Sequence, residues 1–339
     1  MKTKFIKILC VILALAAFAF MAIGSGSDDE DPASKVGEIS DDKTPDSDKS
    51  DDKTPDSDKS DDNKQNENQQ TTQKEYKVGE TLVTKDIKVT FLSSGEFISD
   101  NMFTQPADGN KYVYIKLYCE NISSSDQNIS YYDFNCYADG YACDGCYSMD
   151  NTLSATLSSG RTTTGTVCFE VPANATDIEF EYEANIWTSA KYTFIYEGIK
   201  DSGIVPSNDV KATEGAYKVG DIIESKTERI TYLACGEYTS DNMFLQPKDG
   251  YKYIYLEFEF ENISSSDENV SSLYFRCFAD GAACESHYLG DDELSATLSA
   301  GRKTKGKVYF EVPKAATIIE AEYESSFWSS KKITFTYSE

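Results

Sequence analysis

One offset governs this chain. YKVG at 76–79 returns as YKVG at 217–220, a shift of 141 residues. The same shift, without a gap, carries SDNMF (99–103) onto 240–244, ENISSSD (120–126) onto 261–267 and LSATLS (153–158) onto 294–299. It also carries FEVP (169–172) onto 310–313 and Trp187 onto Trp328. Whatever fold the first copy adopts, the second must adopt too, and each must bury a core from the same pattern. The sequence divides accordingly into 1–24, an apolar leader or anchor; 25–75, an acidic low-complexity stalk; 76–199, the first copy; 200–216, a linker; and 217–339, the second copy.

Within a copy the apolar period is two. KYVYIKLYCE (111–120), TGTVCFEV (164–171), DIEFEYEA (177–184) and KYTFIYE (191–197) alternate residue by residue, which is the pattern of half-buried strands. Turn signals such as SSGE, PADGN, ISSSDQN, ADGY and SSGR punctuate them, and no helical stripe extends beyond a turn or two. The 23 Tyr and 18 Phe fall mostly inside these runs, beside Thr, Val and Ile. Such short, evenly spaced strands predict an all-β chain of two tandem antiparallel Ig-like β-sandwiches. Trp187 and Trp328 are expected in their cores.

Each copy opens on YKVGE/D and has a P-x-D-G loop before a KYVYIKLYCEN-like strand. An F-x-C-x-A-D-G hairpin, a GRxTxGxVxFEVP strand and closing IExEYE and KxTFxY strands follow. This set resembles the telokin-like, Ig-like sandwich domain of unknown function found in exported Gram-positive lipoproteins. That group is related to a mycobacterial secreted immunoprotective antigen. The resemblance implies an exported two-sheet β fold and carries no catalytic residue over. The chain departs from it in lacking a lipobox cysteine, since Cys10 lies within the apolar run.

Lys2, Lys4 and Lys7 precede the apolar run from Ile8 to Gly24, and SGSDDEDP follows it. This asymmetry orients the run N-terminus in, so the remainder is exported, whether the run is cleaved as a signal or kept as an anchor. From Ser25 to Glu75 there is no apolar periodicity, and DDKTPDSDKS occurs twice in succession (41–50 and 51–60), so a disordered spacer is expected. Such a spacer is most useful when its N-terminal end is fixed, which favours the anchor. The 58 acidic residues against 32 basic ones give a net charge of -26, which excludes nucleic acid as a partner because phosphate binding needs clustered Lys and Arg. Membrane contact is expected through the N-terminal segment only.

Export places the cysteines where disulfides persist. In CYADGYACDGC (136–146) a reverse turn on Asp139-Gly140, with a loop of two or of four residues, sets Cys136 opposite Cys143, and Cys277 lies opposite Cys284 around ADGA. Both pairs are disulfide candidates, and Cys119 with Cys168 is a plausible further bridge; Cys146 and Cys235 have no evident partner. A competing chemistry is metal binding or thiol redox. C-x6-C-x2-C in the first copy aligns with C-x6-C-x2-H in the second, so Cys143, Cys146, Cys284 and His287, the only histidine, are zinc-ligand types. Three such positions per copy are one short of a structural zinc site. No G-x-S-x-G, P-loop or dinucleotide fingerprint occurs, and no cofactor is called for. Glu179, Glu181 and Glu183 alternate along one strand and are expected on its solvated face.

The expectation is therefore a non-enzymatic extracytoplasmic protein, secreted or held at the cell surface, that binds another protein, a glycan or a cell-wall ligand. The loops SDNMFTQPADGN and SDNMFLQPKDGY present Met102, Phe103, Met243 and Phe244 as contact candidates, if they do not instead pack as sandwich corners.

Overall fold

The computed structural model describes residues 75–146, 149–183, 190–206, 210–324 and 332–338. The apolar leader, the acidic stalk up to residue 74, Trp187 and Trp328 lie outside these residues, and so do the expectations attached to them.

The first copy is built from β1 (Ile87–Phe97), β2 (Asn110–Asn121), β3 (Phe134–Ala138), β4 (Tyr141–Ala142), β5 (Asp144–Gly145), β6 (Thr162–Pro172), β7 (Ile178–Glu183) and β8 (Lys191–Ile195). One antiparallel sheet runs β1–β2–β6–β5 and the other β8–β7–β3–β4. The alternation read from sequence is the alternation of burial. Val113, Ile115, Leu117 and Cys119 of β2 point inward and are fully buried, meeting Phe180 and Phe194 of the other sheet in one core. The second copy repeats this with β9 (Glu228–Tyr238), β10 (Tyr251–Asn262), β11 (Phe275–Ala279), β12 (Ala282–His287), β13 (Lys303–Pro313), β14 (Ile319–Tyr323) and β15 (Ile333–Thr336). Its core centres on Tyr232, Phe258, Phe275 and Phe335, with Tyr232 stacked on Phe258 at 4.9 Å. Among the described residues there is no α-helix.

The shared motifs have local reasons. Asn121 is fully buried; its Nδ2 donates to the carbonyls of Ser125 and Leu157, and its Oδ1 accepts from the backbone and hydroxyl of Ser123. Asn262 makes the same four bonds with Ser266, Leu298 and Ser264. ENISSSD is thus a side-chain clasp that closes the loop after the long central strand. In GRxTxGxVxFEVP the second glycine, Gly165 or Gly306, passes so close to the neighbouring chain that a Cβ would lie 2.6 Å from the Cα of Leu153 or Leu294.

The two copies meet head to face. At the head of the first copy, Thr162 N donates to Gly281 O of the second copy's ADGA turn, at 3.0 Å. Beside it Arg161 is buried, its Nη2 2.7 Å from Glu320 and 2.9 Å from Glu322, and its guanidinium 4.6 Å above the Phe278 ring. Ser158 donates to Glu322, and Thr213 donates to Glu320 through both its backbone nitrogen (2.6 Å) and its hydroxyl (3.0 Å). At the rim, Asp126 pairs with Arg276 (2.6 Å) and with Lys332. The solvated face expected of Glu179, Glu181 and Glu183 in the first copy has no counterpart in the second. Glu320 and Glu322 do occupy the outer face of their strand, but the first copy covers that face, and Glu320 has no exposure at all. Their equivalents Glu179 and Glu181 remain half-buried.

Two consequences can be measured. Asn121→Ala leaves buried carbonyls and an amide without partners and lowers stability by about 1–3 kcal/mol in chemical denaturation. Arg161→Ala strands two buried carboxylates side by side, a loss of about 3–5 kcal/mol for a broken buried pair. It should appear as faster proteolysis of the 200–216 linker rather than as unfolding of either core.

Candidate functional site

The ADG hairpin positions most of the candidate residues. Asp139 (φ 50°) and Gly140 (φ 83°) both occupy the left-handed region, as do Asp280 (46°) and Gly281 (81°). This is the two-residue turn whose twist matches that of the flanking strands. The Asp139 carboxylate locks it by accepting from Asp177 N (2.9 Å), Thr176 N (3.1 Å) and Thr176 Oγ1 (3.0 Å), bonds that hold the acid below the usual carboxylate range. The expected register follows. Ala138 pairs with Tyr141 and Tyr137 with Ala142, Cys143 N donates to Cys136 O at 2.9 Å, and Cys277 pairs with Cys284.

Past the turn the returning strand changes sheets. In β12, residues 282–284 pair with β11 of one sheet and residues 285–287 with β13 of the other. In the first copy β4 and β5 make the same crossing from β3 to β6. The crossing separates residues that look adjacent in sequence. Cys136, Cys143, Cys277 and Cys284 belong to the cores, whereas Cys146 and His287 come to lie on the outer face of the opposite sheet. Cys143 with Cys146, and Cys284 with His287, therefore do not converge on one point. The three ligand-type positions that the spacing suggested in each copy are divided between two faces by this corner.

The same outer face corrects the proposed Cys119–Cys168 bridge. Cys119 lies opposite Thr163 and points into the core. Cys168 lies opposite Tyr114, five positions further along β6, which is about 17 Å at the strand rise, and it points out. Its neighbour is Cys146, whose backbone N donates to Cys168 O at 2.9 Å and whose thiol hydrogen-bonds the Cys168 thiol. That thiol contact, and then burial, push Cys168 well above the ordinary thiol range. Burial does the same to Cys119, Cys136 and Cys277, and raises Cys143. These groups are protonated at neutral pH and are poor nucleophiles and poor thiolate ligands. In the structure all eight described cysteines are thiols. Cys235 lies apart, 3.2 Å from Ser338 O.

Each outer face carries a small cluster at equivalent positions: Tyr112, Cys146 and Cys168 in the first copy, and Tyr253, His287 and Tyr309 around Leu289 in the second. Glu285, His287 and Glu311 bring their ligand atoms within 4.8 Å of one another. Sequence reading missed this set because Glu311 arrives from a different strand. His287 Nε2 is buried, makes no hydrogen bond and stands 3.8 Å from Glu285 Oε2. A cation is already present, however. Lys248 Nζ sits 2.9 Å from Glu285 and 3.5 Å from Glu311, and Lys248 N donates to Glu311 at 2.8 Å. The ammonium supplies the counter-charge that a metal ion would bring.

Lys248 also roots the contact loop, whose tip is the SDNMF segment. Phe244 N donates to Asn242 Oδ1, and Gln246 Nε2 ties back to the carbonyls of Ser240 (2.8 Å) and Asn242 (2.9 Å). The first copy repeats these bonds with Phe103, Asn101, Gln105 and Ser99. On this frame the tips are bare: Met102 is 78% exposed, Phe103 88%, Met243 77% and Phe244 85%. They are not packed corners.

Between the copies runs a cleft of about 1110 Å³. Asn128, Tyr132 and Asp133 line it from the first copy, and Lys248, Tyr251 and Arg276 from the second. No signal within either repeat announces it, because its walls belong to different copies.

The domain of unknown function DUF4352 matches residues 76–192 and again 217–333. Solved structures similar to the chain include ycdA from Bacillus subtilis (16% identity, TM-score 0.31), where the match covers 34% of this chain and 38% of that one. The yjhA protein from the same organism matches at 15% identity and TM-score 0.30, over 36% of this chain and 99% of its own. The secreted protein MPT63 from Mycobacterium tuberculosis matches at 13% identity and TM-score 0.28, over 37% of this chain and 100% of its own. No curated protein matches the sequence. The two matched segments begin and end 141 residues apart, at the offset of the repeat itself, and together they span most of the chain: it belongs to the DUF4352 family, as two tandem members.

Proposed function

We propose that the chain is a non-enzymatic, extracytoplasmic binding protein whose two sandwiches present the Met102-Phe103 and Met243-Phe244 tips to a protein partner at the cell surface. The observation that carries this reading is the pairing of high exposure with a hydrogen-bonded frame, repeated in both copies. Large apolar side chains held in water by a rigid loop lose little entropy on binding, and aromatic anchors of this kind dominate protein interfaces. A glycan or wall polymer would be met instead by polar groups around flat rings. The leader sequence and the similarity to a secreted protein support export.

A metal or thiol-redox role has less to stand on. The acid–histidine cluster is partly compensated by Lys248, and the buried thiols are held protonated. In an oxidising compartment the cysteines serve the scaffold, as cross-strand bridges Cys136–Cys143, Cys277–Cys284 and Cys146–Cys168. Hydrogen-bonded antiparallel pairs hold their Cα atoms about 5.5 Å apart, within disulfide reach.

Two measurements test this reading. Labelled full-length chain is expected to bind intact producer cells saturably and to lose that binding after protease treatment of the cells. Replacing Met102, Phe103, Met243 and Phe244 by alanine should weaken it at least tenfold. Undiminished binding by that variant, or binding to isolated wall polymer that survives protease, defeats the proposal. Non-reducing peptide mapping of exported protein should recover the three bridges and leave Cys119 and Cys235 as thiols. A Cys119–Cys168 peptide would contradict the sheet register.

A further inference from the structure

The contact between the copies is heterologous: the head of the first copy sits on the β11–β14 face of the second. It therefore leaves one head and one face unused. A contact of this kind closes into a ring or extends along a line when identical units repeat it. The unused surfaces retain the parts that make the internal contact. Arg302 stands where Arg161 stands, Ser299 for Ser158 and Asp267 for Asp126. On the other side Glu179 and Glu181 stand for Glu320 and Glu322, Lys191 for Lys332, Gly140 for Gly281, and the Tyr137 ring for the Phe278 ring.

From this we infer that the chain assembles head to tail with further copies of itself, Arg302 of one chain entering the Glu179–Glu181 face of the next. The complementarity is direct. Arg302 is exposed and makes no ion pair with any described residue, in contrast to buried Arg161. The acceptor face carries one cation, Lys191, 2.7 Å from Glu181, while Glu179 makes no ion pair with any described residue: burial, then Asp177, Glu75 and Glu181, push its carboxyl above the usual carboxylate range. Substitutions alter the copy of the contact: Lys303 stands for Thr162, and Tyr141 for Ala282, the register partner of Thr162. Asn135 replaces Arg276, so the rim ion pair with Asp126 becomes a hydrogen bond from a neutral amide to the Asp267 carboxylate. The internal contact also gains from tethering, since its two halves belong to one chain and meet without the entropy loss of association. Assembly between chains is accordingly weaker and concentration-dependent. It does not depend on what the Met-Phe tips bind.

Sedimentation velocity on the full-length chain in mild detergent, over a concentration series, tests the inference. Wild type should shift from monomer toward dimer and longer species as concentration rises. Arg302→Glu changes an exposed side chain and should stay monomeric throughout with an unaltered melting temperature, which also separates this contact from any association of the apolar leader. Glu179→Arg should behave likewise. Mixed in equal amounts, the two variants restore one reversed junction and one native junction, so assembly should return. A wild type that stays monomeric overturns the proposal. So does an Arg302→Glu chain that assembles like wild type, or a mixture that remains monomeric beside an assembling wild type.

Discussion

The corner strand decides what lies inside these domains and what lies out. A two-residue turn with both central residues in the left-handed region returns the chain with Cys136 opposite Cys143 and Cys277 opposite Cys284. Within three residues that strand has left one sheet and joined the other. Because side chains alternate strictly along a strand, this crossing assigns every later residue of the segment to a face. It makes the first two cysteines of CYADGYACDGC core residues and the third an outer-face residue. The turn is held by a single carboxylate with three donors, and both copies keep that arrangement.

The second constraint is electrostatic and lies between the copies. Burying Arg161, Glu320 and Glu322 takes charges out of water, and hydrophobic replacements of similar shape are often as stable. A buried network of this kind contributes geometry more securely than net stability. Glu320 accepts from Arg161 and from both donors of Thr213, so the linker residue and the neighbouring copy are satisfied by one carboxylate. A displaced copy would leave that carboxylate partly unpaired at zero exposure, which is why one mutual arrangement is selected.

Much of the fold was legible because its determinants are local. Alternation along 111–120 and 164–171 gave strands and their inward faces, and the ADG turn gave the hairpin register outright. The Met-Phe tips were legible as candidates but not as exposed residues, since the Asn and Gln side chains that hold them out act across several positions. What failed depended on partners distant in sequence. Whether Cys168 faces Cys119 or Cys146 is settled by the pairing of β2 with β6, which no short window contains. The outer-face reading of the alternating glutamates was correct strand by strand. It missed that the neighbouring copy covers two of them.

The differences between the copies are more informative than their likeness. At the outer-face cluster Cys146 and Cys168 become His287 and Tyr309, and in the core Cys119 becomes Phe260. At the loop root Ala107 becomes Lys248, so the glutamate that takes Ala107 N and Asn110 Nδ2 in the first copy takes an ammonium in the second. Each exchange packs the equivalent position by other means: sulfur contacts in one copy, rings and a charge pair in the other. A metal site would require the ligand set to persist where the chemistry is done, and here the set is replaced from copy to copy while the backbone and the tips are kept. What both copies share is a rigid frame and an exposed Met-Phe pair, carried by residues whose work is geometric.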